Sequence, residues 1–353
     1  MLASAQRLIS ARTSMVDRFG RYKPESSHEV RQLDIKNDQT LQQLTDAWLK
    51  FSPDFHLIHH QHPTALQIIA DLVKDINYSS KDVEKFSIAL AAFQDEEFFQ
   101  KKAGLFLSVL INHGKDKNYT ISVQHLQVKI DYLCMQNTKH VTIYGDAGHW
   151  CATGMRSGSI LIKGNPAAAS LDISGIELLY DNNYLGKEMS GGKIIVESNV
   201  GHDPGQGMKG GTIIIKGNSW GAGQDMEDGL IIIEGNIKIH YVGWKMQGGK
   251  IIVKGNVHVD VGPLMEDGII VICGNTYLVG SGMHGGVIYL KGGCKGTVGS
   301  EMYGGEVHVF GDEIRIAEDP TDFRLYGVFW GGRIFHNNRL IVDKPKCISP
   351  FLR

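Results

Sequence analysis

The chain has 353 residues, a formal net charge of −2 and 43 glycines. A nearly balanced charge carries no electrostatic footprint for nucleic acid or an anionic membrane, and no apolar run is long enough to span a bilayer. The five cysteines, Cys134, Cys151, Cys273, Cys294 and Cys347, have scattered spacings without a Cys-x-x-Cys pair; that argues against zinc or iron–sulfur ligation and for a reducing, cytoplasmic compartment.

Residues 1–35 read as an irregular N-terminal arm, with Pro24, Ser26 and Ser27. Within it, residues 1–16 carry Arg7, Arg12 and several serines with no acid before Asp17. That pattern resembles an organellar presequence, the alternative to a mobile or docking arm. Residues 36–115 are glycine-poor and predict an α-helical unit. Leu41, Leu44, Ala47, Trp48 and Phe51 follow Asp38 at helical spacing, and Leu66, Ile69, Leu72 and Val73 repeat the pattern. Ser80 is a candidate cap for a helix with Val83, Phe86, Leu90 and Phe93 on one face. A last helix through Leu105 and Ile111 is expected to end at a left-handed Gly114.

Residues 116–317 change period. Ile121, Val123, Leu126, Val128 and Ile130 alternate with polar residues as strands do. Val141 and Ile143 then open a regular series marked by Met155, Met189, Met208, Met226, Met246, Met265, Met283 and Met302. From Met189 onward the steps are 18 to 20 residues. A fixed period of this size marks a solenoid whose units bury their apolar faces only against their neighbours. The step from Met155 to Met189 is longer. It predicts either an irregular coil using Ile176 and Leu178, or an enlarged loop between Asn165 and Lys187. Residues 318–353 lose the period, are aromatic through Phe323, Leu325, Tyr326, Phe329 and Trp330, and read as a cap on the open end.

Aligned on methionine, each column solves one local problem. Glycine stands three residues after every methionine and three before all but Met155, where the residue is Ala152; these are corners. The second and fourth strand positions, from Ile160 and Ile162 to Val307 and Val309, are apolar and point inward. Gly-Asn pairs such as Gly217-Asn218 and Gly235-Asn236 follow, where asparagine tolerates left-handed geometry and stacked amides can form a ladder. The fifth position, Lys163, Glu197, Lys216, Glu234, Lys254, Cys273, Lys291 and Phe310, sets opposite charges on adjacent rungs over much of the stack. The third, also outward, reads Leu161, Ile195, Ile214, Ile232, Ile252, Val271, Tyr289 and His308. An apolar stripe of that length calls for a cover, either the N-terminal helices or a protein partner.

The run Val242-Gly243-Trp244-Lys245-Met246-Gln247-Gly248-Gly249-Lys250-Ile251-Ile252-Val253-Lys254-Gly255-Asn256 resembles the glycine-rich β-helix shared by the structural subunit of formylmethanofuran dehydrogenase and the C-terminal domain of the glutamate synthase large subunit. The likeness spans roughly residues 138–312. It implies a right-handed parallel β-helix of about 19 residues per coil that acts as a scaffold in a hetero-oligomeric oxidoreductase or formyltransferase-type complex, with no catalytic residue and no cofactor of its own. The helical unit and the aromatic tail are additions to that pattern.

Two sets of residues compete with the scaffold expectation. Counting from the preceding asparagine places His240 beside Asp260, and Lys238 beside His258 and Tyr277; a carboxylate next to an imidazole can orient it as a base. Glu227-Asp228 and Glu266-Asp267 recur two coils apart, as acids in a polymer-cleaving β-helix groove would. However, Asp228 and Asp267 also occupy a turn slot filled by glycine in other coils. His59-His60-Gln61-His62 is a weak metal motif because neighbouring histidines project in different directions. The glycine-rich Gly201–Gly207 loop lacks the strand-loop-helix setting of a phosphate cradle. The leading expectation is therefore a non-catalytic scaffold or interaction subunit, with no metal and no cofactor. The alternatives are a stand-alone enzyme acting on a polysaccharide or similar polymer, and a secreted interaction protein.

Overall fold

The computed structural model describes residues 38–164, 184–316 and 329–345. The expected arm at 1–35, Ile176 and Leu178, Cys347, and Phe323, Leu325 and Tyr326 lie outside the described residues. The described chain is a parallel β-solenoid preceded by a helical unit, as the residue patterns predict.

The helices are α1 Gln39–Lys50, α2 Phe55–His60, α3 His62–Val73, α4 Ser80–Ala89 and α5 Phe99–His113. Asp38 caps α1 by accepting from the Leu41 N–H at 3.0 Å. Trp48 anchors the unit: its ring centroid lies 5.6 Å from those of both Phe93 and Phe106, and the Lys102 ammonium stands 4.1 Å over it. Two helix ends differ from expectation. The cap of α4 is Ser79, whose backbone N–H and hydroxyl both donate to Asp82. Gly114 has φ −65° rather than a left-handed conformation; it is needed because an added Cβ would lie 2.1 Å from the Tyr119 hydroxyl.

The strands are β1 Asn118–Ser122, β2 His140–Tyr144, β3 Ser159–Ile162, β4 Lys193–Val196, β5 Lys209–Ile215, β6 Asp228–Ile233, β7 Lys250–Val253, β8 Asp260–Val261, β9 Ile269–Ile272, β10 Leu278–Val279, β11 Val287–Leu290, β12 Glu306–Val309, β13 Gly332–His336 and β14 Arg339–Lys344. Twelve of them form one sheet in the order β1-β2-β3-β4-β5-β6-β7-β9-β11-β12-β13-β14; β8 and β10 pair on another face of the coil. All neighbours in the large sheet are parallel except β13 and β14. The stack therefore begins at β1, one coil before Val141 and Ile143, while Leu126 and Val128 lie outside the strands. β3 pairs directly with β4, so the long step from Met155 to Met189 adds no strand to this sheet. In the tail, β13 adds one more parallel rung. Asn337 and Asn338, at φ 48° and 64°, then form the two-residue hairpin that returns β14 along the edge.

The corners explain the methionine column. The glycine after each methionine has φ between 77° at Gly158 and 108° at Gly229. An added Cβ at Gly192, Gly211, Gly229, Gly249, Gly268, Gly286 or Gly305 would lie 2.6–2.8 Å from the Cε of the methionine one coil earlier. Each buried methionine thus closes over the next coil's corner glycine, so the two columns are one packing unit. The residue before methionine is left-handed too, yet accepts Glu188, Asp225, Lys245, Leu264 and Glu301 at φ 53–55°.

The Gly-Asn column also works differently from a stack of amides. Among the described residues, none of its asparagines has positive φ. The Oδ1 atoms of Asn199, Asn218, Asn236 and Asn256 each accept the backbone N–H of the next asparagine at 2.8 Å. The preceding glycine is required by the coil before it: an added Cβ at Gly255 would lie 2.4 Å from Gly235 O and 2.6 Å from Asn236 Oδ1.

The N-terminal helices close the first end of the stack. Ser87 Oγ on α4 accepts the Ser122 N–H of β1, and Ser108 Oγ on α5 donates to Tyr132 O and accepts from Met135 N. Gly104 permits this contact, since a Cβ there would lie 1.7 Å from Asp131 O. An open sheet edge is capped in this way. The helices are therefore an end cap, and the alternative in which they run along the apolar stripe is not what the fold adopts.

Candidate functional site

Two features of the solenoid surface carry chemistry. The first is the outward third column, in which Leu161, Ile195, Ile214, Ile232, Ile252, Val271, Tyr289 and His308 pair in register and continue to Phe335. From Leu161 to Phe335 it runs about 38 Å at the usual strand spacing. Every member is half-buried. At its far end the rings stack, Tyr289 on His308 at 4.8 Å and His308 on Phe335 at 4.3 Å. Along one side the charged column pairs with itself, Lys216 with Glu197 at 3.7 Å and Lys254 with Glu234 at 2.9 Å. The result is an apolar strip flanked by a charged column.

The second feature is on another face. His240 and Asp260 are not neighbours in the way that counting from asparagine implies. Ile237 bridges Val257, but Val242 bridges Val261, so the longer coil holds one extra residue between these points and the register slips by one. Counted from methionine, His240 aligns with Val259, and Asp260 with Tyr241. Asp260 is buried and takes its hydrogen bonds from Ser281 and the Val261 N–H; its desolvation pushes the carboxyl up to about 6. Lys238, His258 and Tyr277 precede the slip and remain solvent-exposed.

His240 instead meets two residues from two coils earlier. Its ring centroid lies 3.8 Å from that of His202, and His202 Nδ1 lies 2.9 Å from Asp203 Oδ2. One ligand atom from each of His202, Asp203 and His240 falls within 4.8 Å of the others, and among the described residues no other group of His, Cys, Asp and Glu converges so. The gap across the intervening coil is left by Gly221, where an added Cβ would lie 2.3 Å from Asp203 Oδ1 and 2.7 Å from His240 Cβ. Tyr184 closes one side with its ring edge-on to His202 at 5.5 Å. Burial, and then the neighbouring His202, lower the pKa of His240 against the opposing pull of Asp203. Sequence reasoning missed His202 and Asp203. The available signal was the methionine register, which sets His202, Trp220 and His240 in one column.

The remaining candidates do not assemble. Glu227 pairs with Lys209 at 3.6 Å. The Oδ1 atoms of Asp228 and Asp267 each accept the next residue's N–H, from Gly229 and Gly268, at 2.7 Å. Neither aspartate has positive φ; both are exposed, Asp228 at the start of β6 and Asp267 in the bend before β9. In α2 and α3, His59 Nδ1 lies 2.9 Å from Phe55 O, and His62 Nε2 lies 3.2 Å from Ile58 O. The His59 ring serves its own helix, and the His62 ring ties the start of α3 back to α2. Cys134, Cys151, Cys273 and Cys294 are free thiols. Among the described residues no helix is long and apolar enough to cross a membrane.

No family model, no curated protein and no solved structure matches the chain.

Proposed function

We propose that this chain is a non-catalytic β-solenoid scaffold that binds a protein partner along its outer apolar column, as the structural subunit of a formylmethanofuran dehydrogenase-type complex does in the family that the repeat resembles. The observation that carries the reading is the strip from Leu161 to Phe335. Nine successive rungs present a half-buried apolar or ring-bearing side chain outward, although a solvated sheet face would carry polar residues there. The column beside it pairs Lys216 with Glu197 and Lys254 with Glu234 and gives the partner a charged rim. A reducing, cytoplasmic setting fits the buried free thiols Cys134, Cys151 and Cys294.

The test is a double variant, Ile214→Glu with Ile232→Glu, in the full chain. Both side chains point outward, so the circular dichroism spectrum and melting of the variant stay close to those of the parent. Purification from the native source should yield the parent in a stoichiometric hetero-complex and the variant free of it. A parent that is monomeric and unaccompanied, or a complex indifferent to both substitutions, overturns the reading.

A further inference from the structure

The His202–Asp203–His240 cluster lies away from the apolar column and is unexplained by a scaffold role. Three properties distinguish it from a solvated polar patch. Asp203 is buried, and among the described residues no lysine or arginine pairs with it; its titratable neighbours are His202, His240 and Tyr184. A buried carboxylate without a cation is costly. His202 Nδ1 is also buried, and although it is 2.9 Å from Asp203 Oδ2, the angle makes no hydrogen bond and the nitrogen is left without a partner. Finally, the three residues come from two coils that are not adjacent and meet only because Gly221 leaves the coil between them without a side chain.

We propose that His202, Asp203 and His240 form a binding site for one divalent transition-metal ion of the zinc class. The donor set is two imidazole nitrogens and one carboxylate oxygen, which suits borderline ions over calcium or magnesium, whose sites are built from oxygen. A tetrahedral zinc with bonds of ~2.1 Å holds its ligands roughly 3.4 Å apart. The nitrogen–oxygen distance of 2.9 Å lies below that value, and all three ligand atoms fall within 4.8 Å of one another. A cation there neutralises Asp203 and engages the orphaned His202 nitrogen. Three protein ligands leave a fourth position open to water or to a group brought by a partner. The ion would staple the coil of Met208 to that of Met246.

The experiment uses the full chain, stripped with a chelator and dialysed, with Zn(II) alone as titrant in a calorimeter and Co(II) as a spectroscopic probe. One Zn(II) binds per chain. Asp203→Asn and His240→Gln, which preserve side-chain size, each weaken it by at least about tenfold, whereas His59→Ala with His60→Ala leaves it unchanged. The Co(II) form shows visible ligand-field bands without the near-ultraviolet charge transfer that a thiolate produces. Circular dichroism of each variant reports whether the fold is intact, and Gly221→Ala, which intrudes on the site from the coil between, weakens binding as an independent check. Absence of Zn(II) binding by the folded parent overturns the proposal. So does binding that survives Asp203→Asn and His240→Gln, or a thiolate band in the Co(II) spectrum. In those cases His202 and Asp203 are a local ion pair and nothing more.

Discussion

Replacing Asp260 with asparagine should stabilise the protein at neutral pH while leaving it nearly unchanged in acid. The carboxyl is 5% exposed and Oδ1 has no hydrogen-bond partner. Ser281 and the Val261 N–H bind the rest of the group, yet desolvation wins and raises its pKa from 3.8 to about 6. The nearby Cys294 thiol, itself pushed up to about 12 chiefly by burial, is neutral and offers no compensating charge. A carboxyl whose pKa is higher in the folded than in the unfolded chain favours folding while it is protonated. Its contribution is complete below 3.8 and is lost as pH rises through about 6. At about 1.4 kcal/mol per pH unit, the gap corresponds to on the order of 3 kcal/mol of lost stability at pH 7. The asparagine side chain keeps the shape and one acceptor and never ionises. Urea unfolding followed by circular dichroism at about pH 4 and pH 7.5 should show parent and variant within ~1 kcal/mol in acid, and the variant ahead by roughly 2–3 kcal/mol at the higher pH. An equal difference at both pH values would refute the argument, because it would mean that Asp260 ionises in the fold as it does in water.

The backbone devices of the repeat give two further tests. Asn236→Ala removes the Oδ1 that accepts the Asn256 N–H at 2.8 Å and should cost about 1 kcal/mol in urea unfolding; Asn236→Asp, which keeps an acceptor, should cost clearly less, and equal losses would show that the ladder is not held by that oxygen. Gly229→Ala puts a Cβ at φ 108° and 2.7 Å from Met208 Cε, for a loss of roughly 2–3 kcal/mol. Lys245→Gly, at φ 53°, should instead gain on the order of 0.5–1 kcal/mol by relieving left-handed strain; a loss there would mean that the lysine side chain contributes more than its backbone costs.

The fold was legible because each coil repeats the same solution. Eight methionines in register with eight corner glycines identify the corners without an alignment, and alternating Ile and Val identify the inward face. What was not legible was the cause of some columns. Gly114 and the asparagine of each Gly-Asn pair look like sites of positive φ, yet Gly114 answers to close approach by Tyr119, and the glycine before each asparagine to a carbonyl and an asparagine oxygen of the preceding coil. One residue type serves both needs, and spacing alone does not separate them. Nor does spacing show that the helices close the end of the stack, which depends on Gly104 admitting Asp131 O against α5.

The His202–Asp203–His240 cluster was hidden for a different reason. Repetition inside one chain reveals what every coil needs, whereas a site used once must be written as a departure from the columns. Counting from asparagine misaligns His240 because the coil between Asn236 and Met246 has one more residue than the coil that follows it, and the bridges at Val257 and Val261 place the slip between them. Counting from methionine restores the alignment and exposes the anomaly: where Asp203, Tyr241, Asp260 and Leu278 line one column, the coil of Met226 has Gly221. Gly221 is absent from the residues with positive φ, so no turn demands it. The demand comes from Asp203 and His240, which converge across it. In a solenoid, then, the invariant glycines mark the coil's geometry, and a glycine that breaks its column with ordinary backbone angles marks a place where side chains from flanking coils meet.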